Sequence, residues 1–485
     1  MQGKKGYQEK LFITFRLSDH VPQDNIYRRL NETVDFSFLY RSTYTYYGKE
    51  GQKSIDPVVF MKLMLAGYLE NLNSDRRIIS MARMRMDILY FIGYDLDEEL
   101  PWHSTLSRTR QLYGQEVFTE LFKKVLKQCI DKGMVSGRRQ AVDGVYLKAN
   151  ASMDSLVERE IMADAEDFSK ELSEQDEASD DVVRFESKSE PEEVIPNKKT
   201  GNITHYSPSD PDARMSVKPG KAVALNYLGQ VGVDMASHTI THVQVFTADK
   251  RDCQCLPEML PTMVNTLAAG GLKMQEIVAD TGYSSPDALK SIEENRLTGY
   301  IPNPKQVVYS REGFIYDPQE NQYICPMGEA LVYKGRSEVD TDIYRLSKRV
   351  CNECGLKDQC SVMGANGASI RQTVDKAYYD RMHERMQTRK AKILMKKRQS
   401  TVEPVIGTLV DYLGIKKLRC KGLAQANKCL TLAAVAYNLK KLLKHRTNAE
   451  LRKLQIHKPD ISFNDFTNSV ALFYRGWFNL LLITQ

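Results

Sequence analysis

Ala141-Val142-Asp143-Gly144-Val145-Tyr146-Leu147-Lys148-Ala149-Asn150 is a run of apolar, β-branched and aromatic residues broken by one acid and one glycine. Such a run suits a strand, and its apolar residues are taken to run out at Asp143, which puts a carboxylate at a strand end. Ile277-Val278-Ala279-Asp280-Thr281-Gly282-Tyr283 repeats the pattern at Asp280. A third acid, Glu403, stands in Arg398-Gln399-Ser400-Thr401-Val402-Glu403-Pro404-Val405, inside a basic stretch that reads mainly as helix. Carboxylates converging from two strand ends and a helix can hold two Mg²⁺ ions about 3.5–4 Å apart, an arrangement suited to phosphoryl transfer. Taken singly, each acid has a plainer reading: a turn at Asp143-Gly144, a loop cap at Asp280, a solvated helix face at Glu403.

The surrounding pattern is mixed α/β. Alternation over 222–233 and 239–246 predicts two paired strands, followed by a helix over 256–267 and a strand over 276–279. Ser285-Pro286-Asp287 opens a further helix, 299–301 gives another strand, and the helix bearing Glu403 comes last. Upstream, 58–135 reads as helical, with Pro57 suited to a first turn and Ser104 as the cap of a helix from Leu106 onward. Short helices of this kind suit either DNA contact in the manner of a helix-turn-helix or dimerisation. The boundaries that follow are a helical region over 1–138, a core over 139–304 interrupted by an acidic insertion at 154–201, a cysteine-rich insertion over 305–374, the rest of the core over 375–445, and a tail over 446–485.

The net charge of +6 conceals an asymmetry. Residues 154–193 carry a net −12, so the remainder carries +18, which favours a polyanionic partner through counterion release. The acidic segment itself reads as a flexible loop. No secretory leader is visible at the N-terminus, and the apolar run 478–483 is too short to cross a bilayer. Nine cysteines without secretory features point to a reducing cytoplasm and to metal ligation over disulfides.

The runs around Asp143, Asp280 and Glu403 are accompanied by Pro208-Ser209-Asp210-Pro211-Asp212-Ala213-Arg214-Met215, Val233-Asp234-Met235-Ala236-Ser237-His238, Ser54-Ile55-Asp56-Pro57 and His103-Ser104-Thr105-Leu106-Ser107-Arg108. In this order, from about residue 40 to 445, the chain resembles bacterial insertion-sequence transposases of the DDE type. The resemblance implies a ribonuclease-H-like catalytic core with an all-helical N-terminal domain. It also implies Mg²⁺ (or Mn²⁺) held by Asp143, Asp280 and Glu403, and hydrolysis at transposon ends followed by strand transfer. Double-stranded DNA would be the partner, as terminal inverted repeats and target, with a homodimer or larger synaptic assembly acting on it in the cytoplasm. Arg398 resembles the family's arginine, which would position a phosphate or orient a carboxylate; an exposed basic residue is the plainer reading. Related chains carry Lys or Arg seven residues after the glutamate, where this one has Val410. The phosphate contact is then lost or moved to Lys416, Lys417 or Arg419, which extend a basic track from 389–398. The same carboxylates would serve a metal-dependent nuclease without strand transfer, and an inactive DNA-binding descendant would keep them as a trace.

Cys325, Cys351, Cys354 and Cys360 form a second constellation. Four thiolates satisfy tetrahedral Zn²⁺ in a closed structural site, although only Cys351 and Cys354 have CxxC spacing. Free thiols in a reducing cell are the alternative. Cys129, Cys253, Cys255, Cys420 and Cys429 read as isolated or buried, Asp252 as a helix cap, and Asp234 as a loop residue that could also join the acidic centre. His103 and His238 read as structural.

Overall fold

Asp56 starts a helix because its side chain accepts the N–H groups of Val58 (2.7 Å) and Val59 (3.2 Å), while Pro57 brings a φ already fixed for a first turn. The computed structural model describes Lys5 and residues 14–445, apart from 49, 51–53, 73, 160–200, 218–221, 305–312 and 338–340. Most of the acidic insertion and the tail over 446–485 therefore lie outside the described residues. The chain divides into one compact unit up to Leu443 and a second from Lys444.

In the first unit, helices α1 (Ile26–Thr33), α2 (Pro57–Leu69), α3 (Asp75–Met84), α4 (Met86–Ile92), α5 (His103–Leu112) and α6 (Gln115–Asp131) precede the main sheet. Helix α5 begins at His103 with Trp102 at its N-cap, so Ser104 lies inside the first turn and is not the cap. The sheet is built from β1 (Arg139–Lys148), β2 (Ala224–Asp234), β3 (Ile240–Thr247), β4 (Glu276–Val278) and β5 (Thr298–Tyr300), with a short sixth strand, Arg214–Ser216, paired to the start of β2. Their spatial order is β3-β2-β1-β4-β5; β2 runs antiparallel to its neighbours, whereas β1, β4 and β5 are parallel. Helices α7 (Asp252–Ala269) and α8 (Pro286–Glu294) make the crossovers that parallel pairing requires. Ser285 caps α8 as expected, accepting from Ala288 N–H at 3.2 Å.

Three later helices complete the unit: α9 (Lys376–Gln387), α10 (Arg389–Gly407) and α11 (Leu423–Lys444). Glu276 on β4, nearly enclosed, pairs with both Arg139 of β1 and Lys390 of α10, which ties the start of α10 to the sheet. Helix α11 is buried along most of its length, from Ala426 to Leu443. On α11, Asn427 bonds both the N–H (2.8 Å) and the C=O (3.1 Å) of Val245, and Asn438 does the same to Ile240 (3.0 and 2.8 Å). These side-chain amides satisfy the free edge of β3, which would otherwise be open to pairing with another strand. The acidic motif around Pro208 serves the same helix: Asp210 accepts from Gly422 N–H (2.9 Å) and Asp212 from Leu423 N–H (2.8 Å), placing negative charge at its positive end.

Between β5 and α9 the chain forms a second, antiparallel sheet from β6 (Ile315–Asp317), β7 (Gln322–Ile324), β8 (Ala330–Ser337), β9 (Thr341–Arg345) and β10 (Gly367–Thr373), in the order β10-β9-β8-β7-β6. It has a small core of its own around Tyr323, Leu331, Tyr344, Cys351 and Ile370. Among the described residues, no helix is long and apolar enough to cross a membrane.

Candidate active site

The register of β1 against β4 pairs Ala141 with Val278, so two residues further on Asp143 comes level with Asp280. Asp143 is not at a strand end and Asp143-Gly144 is not a turn: β1 continues to Lys148, paired with β2 throughout. It is the neighbouring strand β4 that stops, and its end opens the space beside Asp143. Asp280 does cap the turn Thr281–Tyr283, accepting from Gly282 N–H at 2.9 Å through Oδ1, which leaves Oδ2 facing Arg398.

Arg398 lies between the two. Its guanidinium is 3.1 Å from Asp143 Oδ1 and 3.6 Å from Asp280 Oδ2, and it donates to the carbonyl of Val142. It is buried, so it is neither the exposed basic residue nor a contact on an outward-facing DNA track. Burial, with help from Asp280, pushes the Asp143 carboxyl up to about 6 against the pull of Arg398. Desolvation outweighs the partner charge here.

A third aspartate joins this pair. Asp252 is the first residue of α7, but the backbone N–H of Arg251 is satisfied by Gln254 at 2.8 Å. The Asp252 carboxylate instead accepts from Gln230 Nε2 at 2.6 Å, and Gln230 Oε1 in turn accepts the phenol of the buried Tyr283. Burial raises the Asp252 carboxyl, and the charge of Asp280 adds to the effect. A β-carbon on Gly144 would overlap Asp252 Oδ1, and one on Gly282 would come within 3.0 Å of Asp280 Oδ1 and 3.3 Å of Asp252 Oδ2. The glycines that follow the two aspartates are therefore small because a carboxylate needs the room. Asp252, Gln230 and Tyr283 were not singled out from sequence as site residues; a fully buried glutamine in the apolar strand Tyr227-Leu228-Gly229-Gln230-Val231 was the signal available.

Glu403 is not gathered into this cluster. It is exposed on α10, whose buried side carries Ala391, Leu394, Arg398, Thr401, Val402 and Val405. Five residues turn a helix about 140° and advance it about 7.5 Å, so Arg398 and Glu403 leave different faces. Pro404 follows inside the helix and has no N–H to donate, and a π-helical turn over Thr408–Tyr412 comes next, with Val410 partly buried against the core. Lys416, Lys417 and Arg419 are exposed on a segment that pairs with the far end of β1, through Lys148 N–H to Lys416 C=O (3.2 Å) and Leu418 N–H to Lys148 C=O (2.9 Å). Asp234 is neither a loop residue nor part of the acidic cluster. It ends β2, fully buried, and its carboxylate collects the N–H groups of Gly137 (2.9 Å), Ala236 (3.1 Å) and Ser237 (3.0 Å).

Cys325, Cys351, Cys354 and Cys360 all line one cavity of about 520 Å³ beside the second sheet. Among the described residues, no three His, Cys, Asp or Glu side chains are already close enough to share one metal ion, here or at the aspartates. Cys420 and Cys429 are not isolated: their sulfurs are 3.3 Å apart.

Two family models match the chain. A transposase domain (DUF772) covers residues 15–112 and a transposase DDE domain covers residues 324–443. Both matched stretches are transposase domains, and together they cover less than half of the chain. Arg398 and Glu403 fall inside the second match, whereas Asp143, Asp252 and Asp280 lie in the stretch between the two. No curated protein matches it significantly. Among solved structures, the Mos1 transposase paired-end complex with the left transposon end is 7% identical, covering 52% of this chain and 61% of that one at a TM-score of 0.16. The piggyBac transposase synaptic complex with hairpin DNA is 8% identical, covering 94% and 82% at a TM-score of 0.27. The chain spans about three-fifths of the Mos1 chain it matches.

Proposed function

We propose that this protein is a DDE-type transposase that cuts and joins DNA by metal-dependent phosphoryl transfer at a centre formed by Asp143, Asp280 and Glu403. The observation that carries the reading is the meeting of Asp143 and Asp280 across parallel strands around a buried Arg398. The strand order β3-β2-β1-β4-β5, with only β2 reversed, supports a ribonuclease-H-like core. Carboxylate oxygens are the donors that Mg²⁺ and Mn²⁺ take, and a guanidinium shared by two aspartates occupies a place where positive charge is favoured. The residues fit the implied cations. Bound there, divalent cations supply a lower pKa for the attacking water and offset charge on the leaving oxygen.

The chain's own groups do the remaining work. Asp143 and Asp280 are held at fixed separation by the sheet register, and Arg398 fixes their carboxylates while offsetting part of their charge. Glu403 reaches the centre from α10 once DNA is bound, at a point where Pro404 has already removed one helical hydrogen bond. Lys416, Lys417 and Arg419 follow the phosphate backbone beside β1, and the helical N-terminal region binds the terminal inverted repeats. Two transposon ends require two such centres, hence a homodimer or larger synaptic assembly. The direct test supplies purified protein with element-end DNA, a target plasmid and Mg²⁺, then sequences the junctions. Element 3′ ends joined to target support the reading, and cleavage without joining makes the protein a nuclease.

The second sheet is proposed to carry a structural Zn²⁺ on Cys325, Cys351, Cys354 and Cys360. Backbone N–H groups already point at three of the sulfurs: Glu329 to Cys325 (3.3 Å), Leu356 to Cys354 (3.4 Å) and Ala368 to Cys351 (3.3 Å). Hydrogen bonds of this kind are the outer support that orients metal-ligating side chains. The sheet's apolar core is also small, and small units commonly need such a staple. About one zinc per chain is expected by elemental analysis of the purified protein, lost in Cys354→Ser. Zinc-free protein whose melting is insensitive to a chelator would exclude the site.

A further inference from the structure

Asp252 is placed as carefully as the two aspartates it meets, yet none of the motifs above includes it. Three observations set it apart from a helix-capping residue. Arg251 holds the N-cap position and Asp252 is already the first helical residue, so its side chain is not the cap. Its carboxylate is held from behind by Gln230, which is itself held by Tyr283, a relay with both supporting side chains buried. Its two oxygens then lie against Gly144 of β1 and Gly282 of the turn after Asp280, which leave the gap they need.

We propose that Asp252 is a further cation-holding carboxylate of this centre, so that Asp143, Asp252 and Asp280 bind divalent metal before Glu403 joins them. This rests on the phosphoryl-transfer reading above and deepens it. Three like charges in a partly buried cluster are unfavourable by themselves, and one arginine cannot balance them all. A divalent cation removes that excess charge, and the relay through Gln230 and Tyr283 is the kind of outer support that orients a carboxylate ligand. Metal binding in the absence of DNA is then a property of the three aspartates.

The test titrates full-length protein with Mn²⁺ alone, without DNA, by calorimetry, comparing wild type with Asp252→Asn and Asp280→Asn. Asparagine at 252 keeps an oxygen for Gln230 and removes a desolvated charge, so the variant is expected to melt no lower than wild type. Its Mn²⁺ affinity is expected to fall at least about tenfold, comparable to Asp280→Asn. Gly144→Ala, whose methyl group displaces the Asp252 carboxylate while every acid remains, is expected to weaken Mn²⁺ in the same direction. Mn²⁺ affinity within twofold of wild type in Asp252→Asn, with Asp280→Asn impaired, overturns the role of Asp252 and leaves the reading of the centre intact. Unchanged affinity in both variants overturns the centre itself.

Discussion

Arg398→Ala is expected to cost the fold about 3–5 kcal/mol, the usual consequence of stranding buried charge by removing its partner. The guanidinium is the cation shared by Asp143 and Asp280, and it also satisfies the carbonyl of Val142. Without it, two carboxylates face each other in a partly desolvated pocket, with Asp252 adding a third. A loss of about 4 °C in melting temperature follows for a unit of this size. Millimolar Mg²⁺ should restore part of that loss, since bound cations take over the missing charge, and should do less for wild type. Melting curves with and without Mg²⁺ check both halves; an unchanged melting temperature in the variant would mean that Arg398 does not hold the aspartates together.

Asp143→Asn is expected to lower DNA cleavage by about 10³-fold or more, because a neutral amide cannot hold or offset the charge that phosphoryl transfer develops. The same substitution should stabilise the metal-free protein at neutral pH. The folded chain keeps the Asp143 proton up to about pH 6, against 3.8 for the free side chain, so it holds a proton that the unfolded chain has released. Folding stability in wild type therefore falls as pH rises through that window. Asparagine escapes the loss, which amounts to roughly 3 kcal/mol for a shift of this size, the pull of Arg398 being already part of it. The difference between variant and wild type should vanish below about pH 4 and be complete above pH 6. Chemical denaturation at pH 4 and pH 7.5 reads it, and a variant less stable at pH 7.5 would show that the ion pair with Arg398 outweighs desolvation.

Much of the core was legible because its strands are largely apolar runs, buried without a break from Tyr227 to Asp234 in β2. The expected strands at 222–233 and 239–246 appear as Ala224–Asp234 and Ile240–Thr247, and the helix cap at Ser285 depends on only four consecutive residues. Asp143 and Asp280 were visible because each acid interrupts an apolar run. Arg398 was visible as a residue but not as a buried one, since Lys396-Lys397-Arg398 looks uniformly basic until the helix face is known. Asp252 was hidden for a related reason: at the start of a helix an aspartate is usually a cap, and only the fold brings Gly144 and Gly282 up against it. The cross-sheet relay through Gln230 and Tyr283 joins residues 53 apart in the chain, a separation at which no local pattern survives. Glu403 is the opposite case. Its run is recognisable, but the direction of one side chain on a helix is set by packing, and here the packing turns it outward.

Incubation of purified protein with labelled element-end DNA and Mg²⁺, beside an Asp280→Asn variant, tests the phosphoryl-transfer centre most directly. Cleavage at the element boundary by the wild type, abolished in the variant while DNA binding persists, is the expected result. Intact DNA despite equal binding by both proteins would contradict it and leave the aspartates as the remnant of a centre that no longer cuts.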